Sequence, residues 1–382
     1  MENFLSAFQG LKKNEYFSSI QTAYTFFLIT FAINIIVLKN GIKGGIEKFC
    51  KFAMPTLFIF GIILAVRVLT LGTPDASKPT WNIMNGLGYL WNPDFSKLLS
   101  AKVWLAATGQ IFFTLSVGIG VILTYASYLK KGDDVALSGL TAVSMNETAE
   151  VIIGGSIIIP AAFVFFGPLM ISQIANSGAF NLGFVTMPLI FNYMPLSEVL
   201  GFLWFALLFL AGVTSSVSLS QPAISFLEDE FELTHNKAVA IFGGVTFLLC
   251  HAAIFFLGNG VVDELDFWGG TFCLVVFAAI EVVLFGWVFG IEKAWEEVHH
   301  GADLRIPRFY KFIIKYVTPI FLFIILGTWF FQEWLPIISM KNTPEVNKFA
   351  VMLTRAGLCG LFLLLAVLVK TAWKRRKKEG VR

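Results

Sequence analysis

Apolar side chains run through the chain in long blocks, separated by short clusters of Lys, Glu, Asp, Gly and Pro. A helix needs about 20 residues to cross ~30 Å of hydrocarbon. Nine blocks are of roughly that length or longer: 19–38, 50–71, 103–128, 135–167, 196–226, 238–257, 267–291, 311–335 and 348–370. A segment in lipid must satisfy its backbone internally, so the pattern predicts an all-α, polytopic helical membrane protein. It is read as a single transmembrane domain over residues 1–382. Two connections are long. Residues 72–102 are rich in Pro, Gly and Trp, which predicts a folded surface loop. Residues 168–195 are apolar, uncharged and punctuated by Gly and Pro, which predicts a segment that dips into a vestibule and acts as a lid.

Composition agrees with the pattern and narrows the function classes. Of 382 residues, 57% are hydrophobic and 14% charged, with 41 Phe. A soluble domain carries about 25% charged residues, so a cytosolic enzyme, a nucleic-acid binder and a disordered scaffold are excluded. The net charge of +3 is no basic footprint, and much of the excess is the run Lys374-Arg375-Arg376-Lys377-Lys378. Beside an apolar helix such a run sets topology. With the C-terminus cytoplasmic, the same side holds Lys39, Lys43, Lys48, Lys130, Lys131, Lys237, Lys293, Arg305, Arg308 and Lys311, against seven lysines opposite. Nine spans then place Met1 outside, without an apolar leader in residues 1–15. The four cysteines lack metal-ligand spacing and read as small packing residues.

Inside the membrane the polar residues are the informative ones, because each needs a partner or water. In 103–128, Gln110 and Thr114 share a helical face, and Ser116, Gly118 and Gly120 follow in quick succession. A Gly costs about 1 kcal/mol in a helix interior relative to Ala. The cluster reads as a break near 116–120 that frees backbone groups for a ligand or ion, or else as close-packing positions. Asn146 and Glu150 lie on one face of 135–167, as an ion site or as a protonated Glu bonded between helices. Ala211, Ser215 and Ser218 share a face of 196–226, with Thr214 beside Ser215. Their oxygens suit a hard cation, or they bond back to their own helix. Glu281 sits mid-span, with functional and structural readings equally open. The pair His299–His300 beside Glu296 and Glu297 reads as a solvated loop. No catalytic constellation is found: the sequence lacks HExxH, GxSxG and a P-loop.

Several collinear stretches carry a resemblance: KGGIEKFCKFAMPTLF (43–58), VWLAATGQIFFTLSVGIG (103–120), LSGLTAVSMNETAEVIIGGS (137–156), GAFNLGFVTMPLIF (178–191), FLAGVTSS (209–216), QPAISFLEDE (221–230), DELDFWGGT (263–271) and EKAWEE (292–297). They resemble the neurotransmitter:sodium symporter family, in its bacterial amino-acid transporter branch. The resemblance implies helices four to twelve of a twelve-helix inverted-repeat fold, without the first three, and a sodium-coupled, alternating-access symporter of a neutral or hydrophobic amino acid in the cell membrane. Phe113, Thr114, Ser116, Ile119, Ser215 and Leu219 would line the substrate pocket, with Ile119 where relatives often have Phe. Thr114 and Asn146 would serve one sodium, and the Ala211 carbonyl, Thr214 and Ser215 a second, so both sites would be incomplete here. Gln110 and Glu150 fall at the family's chloride locus.

Two sodium ions beside a zwitterion leave uncompensated positive charge, which a fixed carboxylate balances as well as a bound chloride. Glu150 therefore implies chloride independence, with protonation of Glu150 on the empty return step as an open possibility. Asp229 and Asp266 resemble the inner and outer gate carboxylates, whose arginine partners lie on the first helix in the family. The alternative is a truncated or split-gene product that cannot transport alone and whose partner is a separately encoded N-terminal segment.

Overall fold

The structure, a computed structural model, describes residues 2–378 other than 100, 177 and 342; Met1, assigned to the outer face above, lies outside the described residues. The described residues are helical and contain no strand. The elements that position the site are α1 (Glu2–Phe8), α2 (Gln21–Lys39), α3 (Ile42–Leu69), α4 (Ile83–Trp91), α5 (Ala101–Thr114), α6 (Val121–Ala126), α7 (Val135–Ala175), α8 (Ser197–Phe231), α9 (His235–Phe255), α10 (Val261–Val288), α11 (Phe309–Gln332) and α12 (Glu345–Lys378). Eight of these, α2, α3 and α7 to α12, are long and apolar enough to span a membrane. The remaining predicted block, 103–128, is no continuous helix. It is the half-helices α5 and α6 on either side of a non-helical stretch at 115–120, which is why neither half reaches spanning length.

Short π-helical turns interrupt several long helices, among them Thr148–Gly154 in α7 and Asp266–Phe272 in α10. Such turns concentrate at functional positions, and these two carry Glu150 and Asp266.

The chain divides into two compact units, residues 1–94 with 143–218, and residues 95–142 with 219–382. In the first, the connection predicted as a folded loop is folded: α4 lies against the second half of α7. A Cβ on Gly86 would stand 2.9 Å from Pro160 Cα, so only glycine permits that approach. Tyr89 and Ser172 share a hydroxyl hydrogen bond at 3.0 Å. The turn at Gly167 (φ 77°) seats the Trp81 ring where a Cβ would be and kinks α7, which runs on to Ala175, past the predicted end at 167. The segment 168–195 supplies Ile171, Met187, Ile190, Phe191 and Met194 to this unit's core, packed against Leu64, Val68, Leu200 and Trp204. Trp204 donates from Nε1 to the Gly183 carbonyl at 2.9 Å, so the indole enters an apolar core with its donor satisfied.

In the second unit, α5 packs on α10 and α11, with Trp104 edge-on to Phe321 at 6.0 Å. Phe267 and Phe272 both stack on Trp329, at 5.7 and 5.3 Å.

Candidate functional site

The break in 103–128 lies where the residue pattern places it. The α5 ladder ends with Val117 N donating to Phe112 O at 3.0 Å. Ser116 (φ 55°), Gly118 (φ 78°) and Gly120 (φ 81°) then turn the chain through left-handed conformations before α6 begins. For a non-glycine residue this costs on the order of 1–2 kcal/mol, so Ser116 is held there by its surroundings. Two residues on, the unwound stretch meets α10 at Gly118. A Cβ on Gly118 would lie 2.3 Å from Leu274 O and 2.9 Å from Ala278 N, so the unwound segment rests directly on that helix's backbone. The Gly118 N–H, released from the ladder, donates to Glu281 Oε2 at 3.2 Å. Glu281 therefore has a partner that no side-chain motif announces: an orphaned main-chain donor of the broken helix.

The same unit holds Gln110, Phe113, Thr114, Ser116, Ile119 and Leu219. Phe113 and Leu219 are each at least half exposed, while Thr114, Ser116 and Ile119 are half-buried. Below the break Tyr128 and Ser225 share a hydroxyl hydrogen bond at 3.0 Å, and Gln221 donates from Nε2 to Ser225 at 3.1 Å. Gln221 and Ser225 are buried polar residues that the sequence reading passed over. Their signal was available: polar side chains beside Pro222 inside an apolar span.

The first unit holds Asn146, Glu150, Ala211, Thr214 and Ser215. Asn146 and Glu150 are half-buried, one turn apart, and the π-turn that begins at Thr148 carries Glu150. The Thr214 hydroxyl donates to Leu210 O at 3.0 Å and to Ala211 O at 2.9 Å. Two of the three oxygens expected for one sodium therefore stand beside each other, bonded back along their own helix. Hydroxyl and carbonyl oxygens are the kind of ligand a hard cation takes. Ser216 donates to Asn34 Oδ1 at 2.5 Å and ties α8 to α2. No metal-holding group of three or more His, Cys, Asp or Glu exists among the described residues. An alkali ion held by hydroxyl and carbonyl oxygens does not need one.

Both proposed gate carboxylates are exposed, and among the described residues neither forms an ion pair. The acidic residues around Asp229 are paired: Glu228 with His235 at 2.6 Å, Glu230 with Arg376 at 2.9 Å and Glu232 with Arg375 at 2.7 Å. Asp266 opens a π-turn and lays Oδ1 over Gly270, where a Cβ would be 2.9 Å away.

One unit thus holds a broken helix braced by a carboxylate, and the other holds a cluster of hydroxyl and carbonyl oxygens. A model of the sodium:neurotransmitter symporter family matches residues 4–369. The chain belongs to that family. It is 30% identical over 298 residues to an uncharacterized sodium-dependent transporter of Methanocaldococcus jannaschii, across 77% of this chain and 58% of the relative. It is 25% identical over 371 residues to sodium-dependent nutrient amino acid transporter 1 of Drosophila erecta, across 92% of this chain and 54% of the relative. Among solved structures, that of MhsT in complex with L-phenylalanine matches with a TM-score of 0.65 at 28% identity, across 78% of this chain and 66% of the other. The chain thus spans little more than half the length of these curated relatives. Members of that family are membrane transporters rather than enzymes, and the eight long apolar helices fit a multi-pass membrane protein.

Proposed function

We propose that the chain forms the binding core of a sodium-coupled symporter for a neutral, hydrophobic amino acid, working by alternating access without chloride. The observation that carries this reading is the unwound stretch 115–120 in α5–α6. There a spanning helix surrenders its own hydrogen bonds, and backbone groups become available to a zwitterion and its ions. The substrate class is supported by the apolar character of Phe113, Ile119 and Leu219. A nutrient amino acid transporter among the relatives and L-phenylalanine in the MhsT complex point the same way. Thr114 with Asn146 serve one sodium, and Ala211 O with Thr214 and Ser215 the other. Glu150, which with Gln110 matches the family's chloride locus in sequence, supplies the fixed counter-charge. Asp229 and Asp266 act as inner and outer gate carboxylates, and the C-terminus is cytoplasmic.

The test is uptake of labelled phenylalanine and leucine by proteoliposomes holding the purified chain, with an inward sodium gradient. Uptake should vanish when sodium is replaced by choline and persist when chloride is replaced by gluconate. Loss of uptake in gluconate overturns the role of Glu150. A second reading, in which the chain alone binds but does not transport, is favoured by its span of 54–66% of its relatives' lengths. Sodium-dependent binding without uptake in the same preparation decides for it.

A further inference from the structure

Arg355 stands ten residues into α12, inside an apolar span, with a side chain only 17% exposed. A charge there is expensive unless fully paired, and its pairing is nearly complete. Nε donates to Glu264 Oε2 at 2.8 Å and Nη2 to Glu264 Oε1 at 2.9 Å, a two-pronged fit of guanidinium on carboxylate. Nη1 and Nη2 also donate to the carbonyls of Ile338 and Ile337, each at 3.0 Å, which ties in the last helical turn, Leu335–Ile338, that continues from α11. Glu264, 12% exposed, takes a third donor from Trp268 Nε1 at 2.9 Å, and the guanidinium lies 5.8 Å from the Trp268 ring.

A buried ion pair of this kind adds little net stability over apolar residues of the same shape, because both charges are desolvated. What it does supply is orientation, since a planar fork fits a carboxylate in one way. Midway between the two pinned residues lies Asp266. Glu264 and Trp268 flank it by two residues on each side, so the backbone entering the π-turn at Asp266 is held at both ends. We propose that Arg355, through Glu264 and Trp268, is the clamp that fixes the turn presenting Asp266. Arg355 is thus a positioning residue for the outer gate. The proposal rests on the gate reading of Asp266 only for its functional meaning; the clamp itself is tested without transport.

The full chain in nanodiscs, carrying Asp266→Cys as a reporter, is treated with a membrane-impermeant maleimide. Modification of the reporter thiol and of native Cys273, further along the same helix, is followed by peptide mass spectrometry. Glu264→Gln and Arg355→Gln should each speed labelling of the reporter about tenfold and leave Cys273 unchanged. The double variant should be no faster than either single, because the two side chains act as one unit. Arg355→Lys, which keeps the charge and loses the fork, should fall between; with Glu264→Gln it carries the test should Arg355→Gln fail to fold. Reporter labelling rates within about twofold of the parent in both single variants overturn the clamp, as do effects that multiply in the double. Equal acceleration at Cys273 also overturns it, by revealing general loosening. Sodium-dependent amino-acid binding by Asp266→Asn tests the gate reading separately: unchanged affinity refutes the gate and leaves the labelling result standing.

Discussion

A methyl group on Gly118 would meet the Leu274 carbonyl oxygen at 2.3 Å, with a backbone φ of 78° that disfavours any side chain. Both effects act against folding, and overpacking alone costs about 1–3 kcal/mol. Gly118→Ala is therefore expected to lower the melting temperature in detergent by several degrees, more than Gly109→Ala, where a Cβ meets nothing within 4 Å. The neighbouring carboxylate makes a second case. Glu281→Leu leaves the Gly118 N–H without an acceptor and should cost about 1–3 kcal/mol, whereas Glu281→Gln keeps an oxygen in place and should cost about half as much. Thermal unfolding followed by tryptophan fluorescence separates the two. At this scale Ser116, Gly118 and Gly120 marked the stretch but left a break and close packing both open, and the left-handed backbone decided for the break. The partner of Glu281 was not legible. It is a main-chain N–H 163 positions away, and nothing in residue identity marks a peptide group as orphaned.

Elements and their connections set the next level. The loop after α6 meets the loop after α10 within one unit: Asp134 accepts from Leu137 N at 2.8 Å and from Asp303 N at 2.7 Å, while Gly301 (φ 80°) packs onto Gly132. The backbone donors, Leu137 first and Asp303 next, hold the Asp134 carboxyl below its ordinary value of 3.8. A depressed folded-state value contributes stability at pH above the ordinary one and loses it as pH falls through the folded one. Asp134→Asn should therefore melt earlier than the parent at pH 7, and the gap should close below about pH 4. Melting curves across that range check it.

The segment 168–195 teaches a related lesson. Its missing charges forecast that it would not lie in water, and its core burial agrees. That Met187, Ile190 and Phe191 join the first unit's core was not legible, because an apolar run names no neighbour. Ile190→Ala should cost about 2–5 kcal/mol in the same assay, as truncation of a fully buried side chain does.

Across the whole molecule, α12 pairs with acidic residues at two levels, and the two pairings differ in strength. Arg355 is buried with Glu264, and removing one partner of such a pair strands the other, at about 3–5 kcal/mol. Arg375 and Arg376 meet Glu232 and Glu230 with side chains 42% and 46% exposed, where an ion pair contributes about 0–1 kcal/mol. Arg375→Ala and Arg376→Ala should thus barely shift melting, and less still at high salt. Arg355→Ala should be severe at every ionic strength.

By itself the sequence determined the class of molecule, the number of apolar blocks and the family, and it marked 116–120 as either a break or a close-packing stretch. All of these follow from local composition, periodicity and collinear motifs. Tertiary structure alone decided that block 103–128 is two half-helices whose junction is seated on the backbone of α10. It likewise decided that Glu281 braces their junction and that Arg355 grips the turn of Asp266. These depend on which groups meet across 91 to 163 positions of chain, and in an apolar environment close packing and hydrogen-bond geometry choose those meetings.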